Sequence, residues 1–202
     1  MMRGSTAMRG GTLSRALACA AAGLLFLSAC SGEEPDGEAA SPDDGAGEAD
    51  WAVACTAGAV PIEGIGSLEL PCLGDDVATA VGTDGARPMI VVLWASWCQP
   101  CAAEAPEVEA FFSEYGDQVG VLGVDTADTA EAGRWFASEF AMTYPSVFDA
   151  DETIRTGLGV PALPGVAFVA PDGTVEKLIT EPGITADSLA ADAESAFGLE
   201  LT

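Results

Sequence analysis

Met89-Ile90-Val91-Val92-Leu93-Trp94-Ala95-Ser96-Trp97-Cys98-Gln99-Pro100-Cys101 changes character twice along its length. The first seven residues are an unbroken apolar run rich in β-branched side chains, as expected of a strand buried on both faces. Ser96 and Trp97 turn out of that strand. From Gln99 the period becomes helical, with Val108, Phe111, Phe112 and Tyr115 at spacings that share a face and Gly116 as the stop. Pro106 falls inside this helix and is expected to kink it. Cys98 and Cys101 therefore sit where a buried strand hands over to the first turn of a helix. Backbone N–H groups there lack intrahelical acceptors, and the positive end of the helix dipole favours a thiolate on the first cysteine. Cys98, outermost and nearest the helix start, is the better nucleophile, whereas Cys101 lies one turn in and is shielded. Zinc sites share the Cys-x-x-Cys spacing. Here zinc is disfavoured, because the chain has no histidine and no second closely spaced cysteine pair.

Outward from this segment the pattern alternates. Val119–Val124 reads as a second buried strand, Thr129–Phe140 as a helix carrying Trp135, Phe136 and Phe140, and Asp151–Gly157 as one or two helical turns. Val166–Val169 is a third strand, joined through Pro171-Asp172-Gly173 to Thr174–Ile179 by a hairpin signal. Thr185–Phe197 makes the last helix, with Leu189, Ala193, Ala196 and Phe197 on its apolar side. The order β-α-β-α-β-β-α gives an α/β fold: a central mixed sheet flanked by helices, its last strand antiparallel to its neighbour.

Composition narrows the chemistry. Thirty-two acids against seven cations leave a formal charge of −25 over 202 residues. Competition for nucleic-acid phosphates needs a basic face, so that class is excluded. The absence of histidine removes most triad, haem and His-metal chemistry. Cysteine, carboxylate and shape remain, on a chain long enough for one compact domain plus extensions.

Arg3, Arg9 and Arg15 precede an uncharged apolar run, Ala16–Ala29. A basic region followed by ~14 apolar residues is an export signal, too short to stay as a membrane-spanning helix of ~20 residues. The run ends Leu27-Ser28-Ala29-Cys30 and resembles a bacterial lipoprotein signal, which implies cleavage after residue 29 and lipid on Cys30. An ordinary secretory signal and a short uncleaved anchor are the alternatives. With the signal removed, the cations are Arg87, Arg134, Arg155 and Lys177. Anionic headgroups would repel such a surface, so lipid rather than charge would hold it at the outer face of the cytoplasmic membrane. Ser31–Asp50 carries eight acids with no aromatic or branched aliphatic residue, and reads as a flexible tether. Residues 1–29, 30–50 and 51–202 are thus signal, lipidated tether and folded domain.

Cys19 leaves with the signal and Cys30 takes lipid, so Cys55, Cys72, Cys98 and Cys101 remain for an oxidising compartment. Cys55 and Cys72 are assigned a structural disulfide, worth about 3 kcal/mol on the chain-entropy account. A second redox couple and two free thiols are the alternatives. Pro61, Gly64, Gly66 and Pro71 between them mark a stretch expected to be floppy without that staple.

Trp94-Ala95-Ser96-Trp97-Cys98-Gln99-Pro100-Cys101-Ala102-Ala103-Glu104-Ala105-Pro106 resembles the active-site segment of thioredoxin-like proteins, most closely the membrane-tethered TlpA-like thiol-disulfide oxidoreductases. The similarity continues through Gly123-Val124-Asp125, Thr143-Tyr144-Pro145 and Leu163–Gly173, spanning roughly residues 68–197. It implies a thioredoxin-like fold and exchange chemistry: Cys98 attacks a partner disulfide and Cys101 resolves the mixed disulfide. It further implies that Pro164 is a cis-proline facing the cysteines, that Leu163 faces the substrate, and that Glu104 is a partly buried acid helping to move the Cys101 proton. A solvated helix carboxylate is the plainer reading of Glu104. Trp97 is placed to cap the site and contact partners, while Trp94 packs in the core. No cofactor is called for. The implied partners are protein disulfides, apocytochrome c cysteines among them, and a membrane or extracytoplasmic protein that recycles the pair.

Three positions depart from the family pattern. Val92 stands where relatives often carry Asp or Asn, and Ala102 and Ala103 where they often carry basic residues. Without a neighbouring cation the thiolate is stabilised less, which points to a reducing couple and a reductase rather than a disulfide donor. The competing classes are an oxidase or isomerase of the same fold, a non-catalytic thioredoxin-like binding lipoprotein, a peroxidase with a lone reactive cysteine, and a copper chaperone, which would want a histidine.

Overall fold

The hydrophobic run of the sequence becomes β3 (Met89–Trp94), whose six residues are all buried at the centre of a five-stranded sheet. The computed structural model describes residues 51–202. The export signal, Cys30 and the acidic tether lie outside the described residues. Across the sheet the order is β5 (Ser146–Asp149), β4 (Gly120–Thr126), β3, β6 (Gly165–Val169) and β7 (Val175–Ile179). β3–β4 and β4–β5 pair in parallel, whereas β3–β6 and β6–β7 are antiparallel. The hairpin turn between β6 and β7 is made at Gly173, whose φ of +89° suits a residue without Cβ.

Strand alternation divides the interior into two cores. Ile90, Val92 and Trp94 face one core with α1 (Gln99–Tyr115), α2 (Ala130–Glu139) and α4 (Ala186–Phe197). Val91 and Leu93 face the other, with Ile154 of the short α3 (Thr153–Gly157) and Val81 of β2 (Ala78–Val81). α1 runs on through Pro106 and buries Cys101, Glu104, Ala105, Val108 and Phe111, one stripe at helical spacing. α2 starts on a Thr129 side chain that accepts the Ala132 N–H, and α4 on a Thr185–Ser188 capping box.

Three elements go beyond the sequence pattern. β1 (Leu68–Pro71) pairs with β2 as a separate antiparallel hairpin, so the stretch between the bridged Cys55 and Cys72 contains a strand, and β5 extends the main sheet. β4 continues two residues past Val124 and brings Asp125 and Thr126 into the sheet. Before the hairpin, Trp51 is buried and its indole N–H donates to Met142 O at 2.6 Å. Cys55 and Cys72 are joined by an S–S bond of 2.07 Å, Cys72 being fully buried and Cys55 half-buried. Among the described residues no helix is long and apolar enough to cross a membrane.

Candidate active site

Cys98 caps α1 from an extended backbone conformation, and the Cys101 N–H points at its Sγ, 3.3 Å away. A sulfur thus occupies the place an oxygen takes at an ordinary helix start, where an anion is favoured by unpaired N–H groups and the macrodipole. Cys98 and Cys101 are bonded to each other at 2.02 Å. In this bridged form both residues are 4% exposed. The contrast expected between an outer Cys98 and a shielded Cys101 is therefore absent, because the bond turns each sulfur against the other and against the first helical turn.

Behind the pair lies a cavity of about 10 Å³, bordered by Trp94, Cys101, Glu104, Phe136, Tyr144 and Pro164. That is room for about one water. The cavity brings together Cys101 from α1, the Glu104 carboxyl one turn further on, and Pro164 from the loop before β6. Glu104 is 5% exposed and accepts the Gly183 N–H at 2.6 Å and the Ile184 N–H at 3.4 Å, so it is not a solvated helix carboxylate. Burial pushes its pKa up, partly offset by those two backbone donors. The Leu163–Pro164 bond is cis, with Pro164 buried and Leu163 half-buried. Trp94 is buried and stacks on Phe136 at 4.9 Å, while Trp97 is 61% exposed. A larger cavity, about 310 Å³, opens at the opposite end of the strands beside Arg87, Met89 and Gly120, and no cysteine lines it.

Two acids that pattern reading passed over adjoin the site. Asp125, the register partner of Trp94, is fully buried, and neither carboxyl oxygen has a hydrogen-bond partner. Burial, and next the neighbouring charge of Asp128, push its pKa up to about 9. It packs so closely on α2 that a Cβ on Gly133 would meet its Oδ2 at 1.9 Å. Asp128 reaches across to the turn before Cys98, where its Oδ2 accepts the Ser96 N–H at 2.6 Å. The signal available in the sequence was an acid closing a run of buried β4 residues, a place where apolar side chains are the rule. Among the described residues no three His, Cys, Asp or Glu side chains gather as a metal site.

The chain is 32% identical over 88 residues to the thiol-disulfide oxidoreductase ResA of Geobacillus thermodenitrificans, a match covering 43% of this chain and 51% of that protein. It spans about half the length of the curated relatives it matches. Among solved structures, a secreted Mycobacterium tuberculosis disulfide oxidoreductase superposes with a TM-score of 0.55 at 23% identity, covering 63% of this chain and 95% of that one. Mycobacterium tuberculosis DsbF superposes at 0.58 with 24% identity, covering 68% and 98%. These likenesses make the fold thioredoxin-like. The profile of the AhpC/TSA family runs from the first residue of β1 into the last strand of the sheet, residues 68–178, and so takes in more than half of the sequence together with both cysteines and Pro164: the chain belongs to the AhpC/TSA family.

Proposed function

We propose that this protein is an extracytoplasmic thiol-disulfide oxidoreductase that reduces protein disulfides through Cys98 and Cys101. The observation that carries the reading is the Cys98 Sγ held as the cap of α1, with the Cys101 N–H aimed at it. The Cys98 thiolate attacks one sulfur of a partner disulfide and expels the other as a thiolate. Cys101 loses its proton and attacks Cys98 Sγ, which breaks the mixed disulfide and releases the partner's second thiol. Two electrons pass to the partner and the protein is left bridged. A protein dithiol must return it to the reduced form. Glu104, across the small cavity from Cys101, is the base that takes the Cys101 proton.

The direction follows from charge. The four cations among the described residues are each paired elsewhere, Arg87 with Asp84, Arg134 with Asp76, Arg155 with Glu152 and Lys177 with Asp192. Glu104 borders the small cavity beside Cys101 and Asp128 reaches the turn before Cys98, while Asp125 keeps its proton near neutral pH and adds no charge. With no cation added to the helix start, the thiolate is stabilised less than it would be beside one, and a couple whose dithiol form is less stabilised as thiolate is more reducing. Trp97 and Leu163 offer an aromatic and an aliphatic contact on either side of an extended polypeptide. Lipid on Cys30 and a tether over residues 31–50 would keep the domain at the outer face of the cytoplasmic membrane, within reach of exported substrates such as apocytochrome c.

Equilibration of the purified 202-residue chain in graded thiol buffers tests the reading. A reversible couple below about −200 mV supports a reductase, and one near −120 mV makes it a disulfide donor. A chain that never interconverts between dithiol and bridged forms would overturn exchange chemistry altogether. Trapping with Cys101→Ala in its own cells then identifies the partner captured on Cys98.

A further inference from the structure

Cys98 is held within its own segment by its N–H, which donates to Ala95 O at 3.0 Å, and the turn that delivers it is held from outside that segment. The turn that delivers it, Ser96–Trp97, makes two side-chain hydrogen bonds, and both end on the loop between β4 and α2: the Ser96 N–H donates to Asp128 Oδ2 at 2.6 Å, and the Trp97 indole N–H donates to Ala127 O at 3.0 Å. That loop is itself held. The Ala127 N–H donates to Asp149 O at 3.3 Å, and Ala127 adopts a φ of +54°, a conformation that costs a residue with a Cβ and persists only where its surroundings impose it. Asp128 is not needed to start α2, because Thr129 caps that helix. One carboxylate oxygen takes the adjacent Thr129 N–H at 2.7 Å, and the other crosses a sequence separation of 32 to the redox turn.

We propose that Asp128 is a positioning residue of disulfide exchange, its carboxylate setting the Ser96–Trp97 turn and through it the line along which Cys98 meets an incoming sulfur. This rests on the exchange reading above. Displacement at sulfur needs the attacking and leaving atoms in line, so a nucleophile displaced by a fraction of an ångström loses rate. Asp125 supports the arrangement from beneath. Buried against Gly133, it keeps its proton near neutral pH, so the two adjacent carboxyls do not repel each other as a pair of charges.

The reduced full chain is mixed with a short cystine peptide, and the second-order rate is read per folded molecule for the wild type, Asp128→Ala and Asp128→Asn. Alanine removes the acceptor and should slow exchange at least about tenfold. Asparagine keeps an oxygen for the Ser96 N–H and should stay within about threefold of wild type. Equal rates for wild type and Asp128→Ala overturn the proposal, and so does an Asp128→Asn variant as slow as alanine. If Asp128→Ala does not fold, hydrogen exchange of the Ser96 amide in the wild-type chain decides: a protected amide supports the clamp and one exchanging like an exposed turn overturns it. A wild type that fails to exchange overturns the parent reading, and the proposal falls with it.

Discussion

A carboxyl buried without a hydrogen-bond donor, as at Asp125, is tolerated in its neutral form because charging it there would forfeit the hydration it enjoys when unfolded. Its folded pKa of about 9 exceeds the unfolded 3.8, so between those values the native state holds a proton that the unfolded chain has released. Stability must then decline as pH rises through that window. Glu104, also raised by burial, adds to the decline in the same direction. Asp84 and Asp172 sit below the ordinary carboxylate range because backbone donors hold their charged forms, and above pH 5 they contribute no slope. Urea midpoints measured from pH 5 to 9 should therefore fall steadily for the wild type and fall less for Asp125→Asn, which does not titrate. A parallel pair of curves would remove Asp125 as the cause. For Glu104→Gln the expected effect is kinetic. The amide oxygen can still accept the Gly183 and Ile184 N–H groups, both of which meet Oε1, but the amide cannot take a proton, so exchange at neutral pH should slow about a hundredfold, which stopped-flow mixing with a cystine peptide would measure.

Elements differed in how openly the sequence displayed them. β3, β4 and β6 showed as apolar runs because they are buried on both faces, and α2 and α4 showed through Phe136 and Phe140 and through Leu189 and Ala193 at helical spacing. β1, β2 and β5 are four residues each. Leu-Glu-Leu-Pro at β1 ends in a proline that reads as a loop, and Pro145 sits directly before β5, so the pattern had too few residues to speak. The cysteines were legible because they lie where a buried strand passes into the first turn of a helix, and Glu104, one turn further on, came through the family resemblance. Asp128 and Ser96 were not, since a sequence separation of 32 hides their contact until β3 and β4 pair. The N-terminal arm is fixed to the hairpin by Cys55–Cys72 and to the sheet by the Trp51–Met142 hydrogen bond. Replacing both Cys55 and Cys72 by alanine releases a loop of separation 17 and should cost about 3 kcal/mol by chemical denaturation. Exchange at Cys98 should persist in that variant at temperatures where it stays folded, and its loss there would mean the second bridge takes part in the chemistry.

The whole molecule carries a charge of −25, and among the described residues every cation is already paired with an acid. Such a surface produces a negative field that reaches about 10 Å at 0.1 M salt and about 30 Å at 0.01 M. The field acts on encounter before any sulfur is touched. An extended polypeptide whose disulfide is flanked by Lys or Arg should be drawn toward Trp97 and Leu163, and one flanked by Asp or Glu turned away. In the bridged form the cysteines are 4% exposed beside exposed Trp97, so the field can orient a visiting polypeptide before any sulfur contact is made. Rates measured with two cystine peptides that differ only in the sign of their flanking charges should favour the basic one by about tenfold or more at 0.01 M salt, then converge near 0.5 M as screening collapses the field. If the preference survives at high salt, short-range contacts near Cys98 choose the substrate; if it is absent at low salt, the acidic surface serves solubility and the choice lies with Trp97 and Leu163 alone.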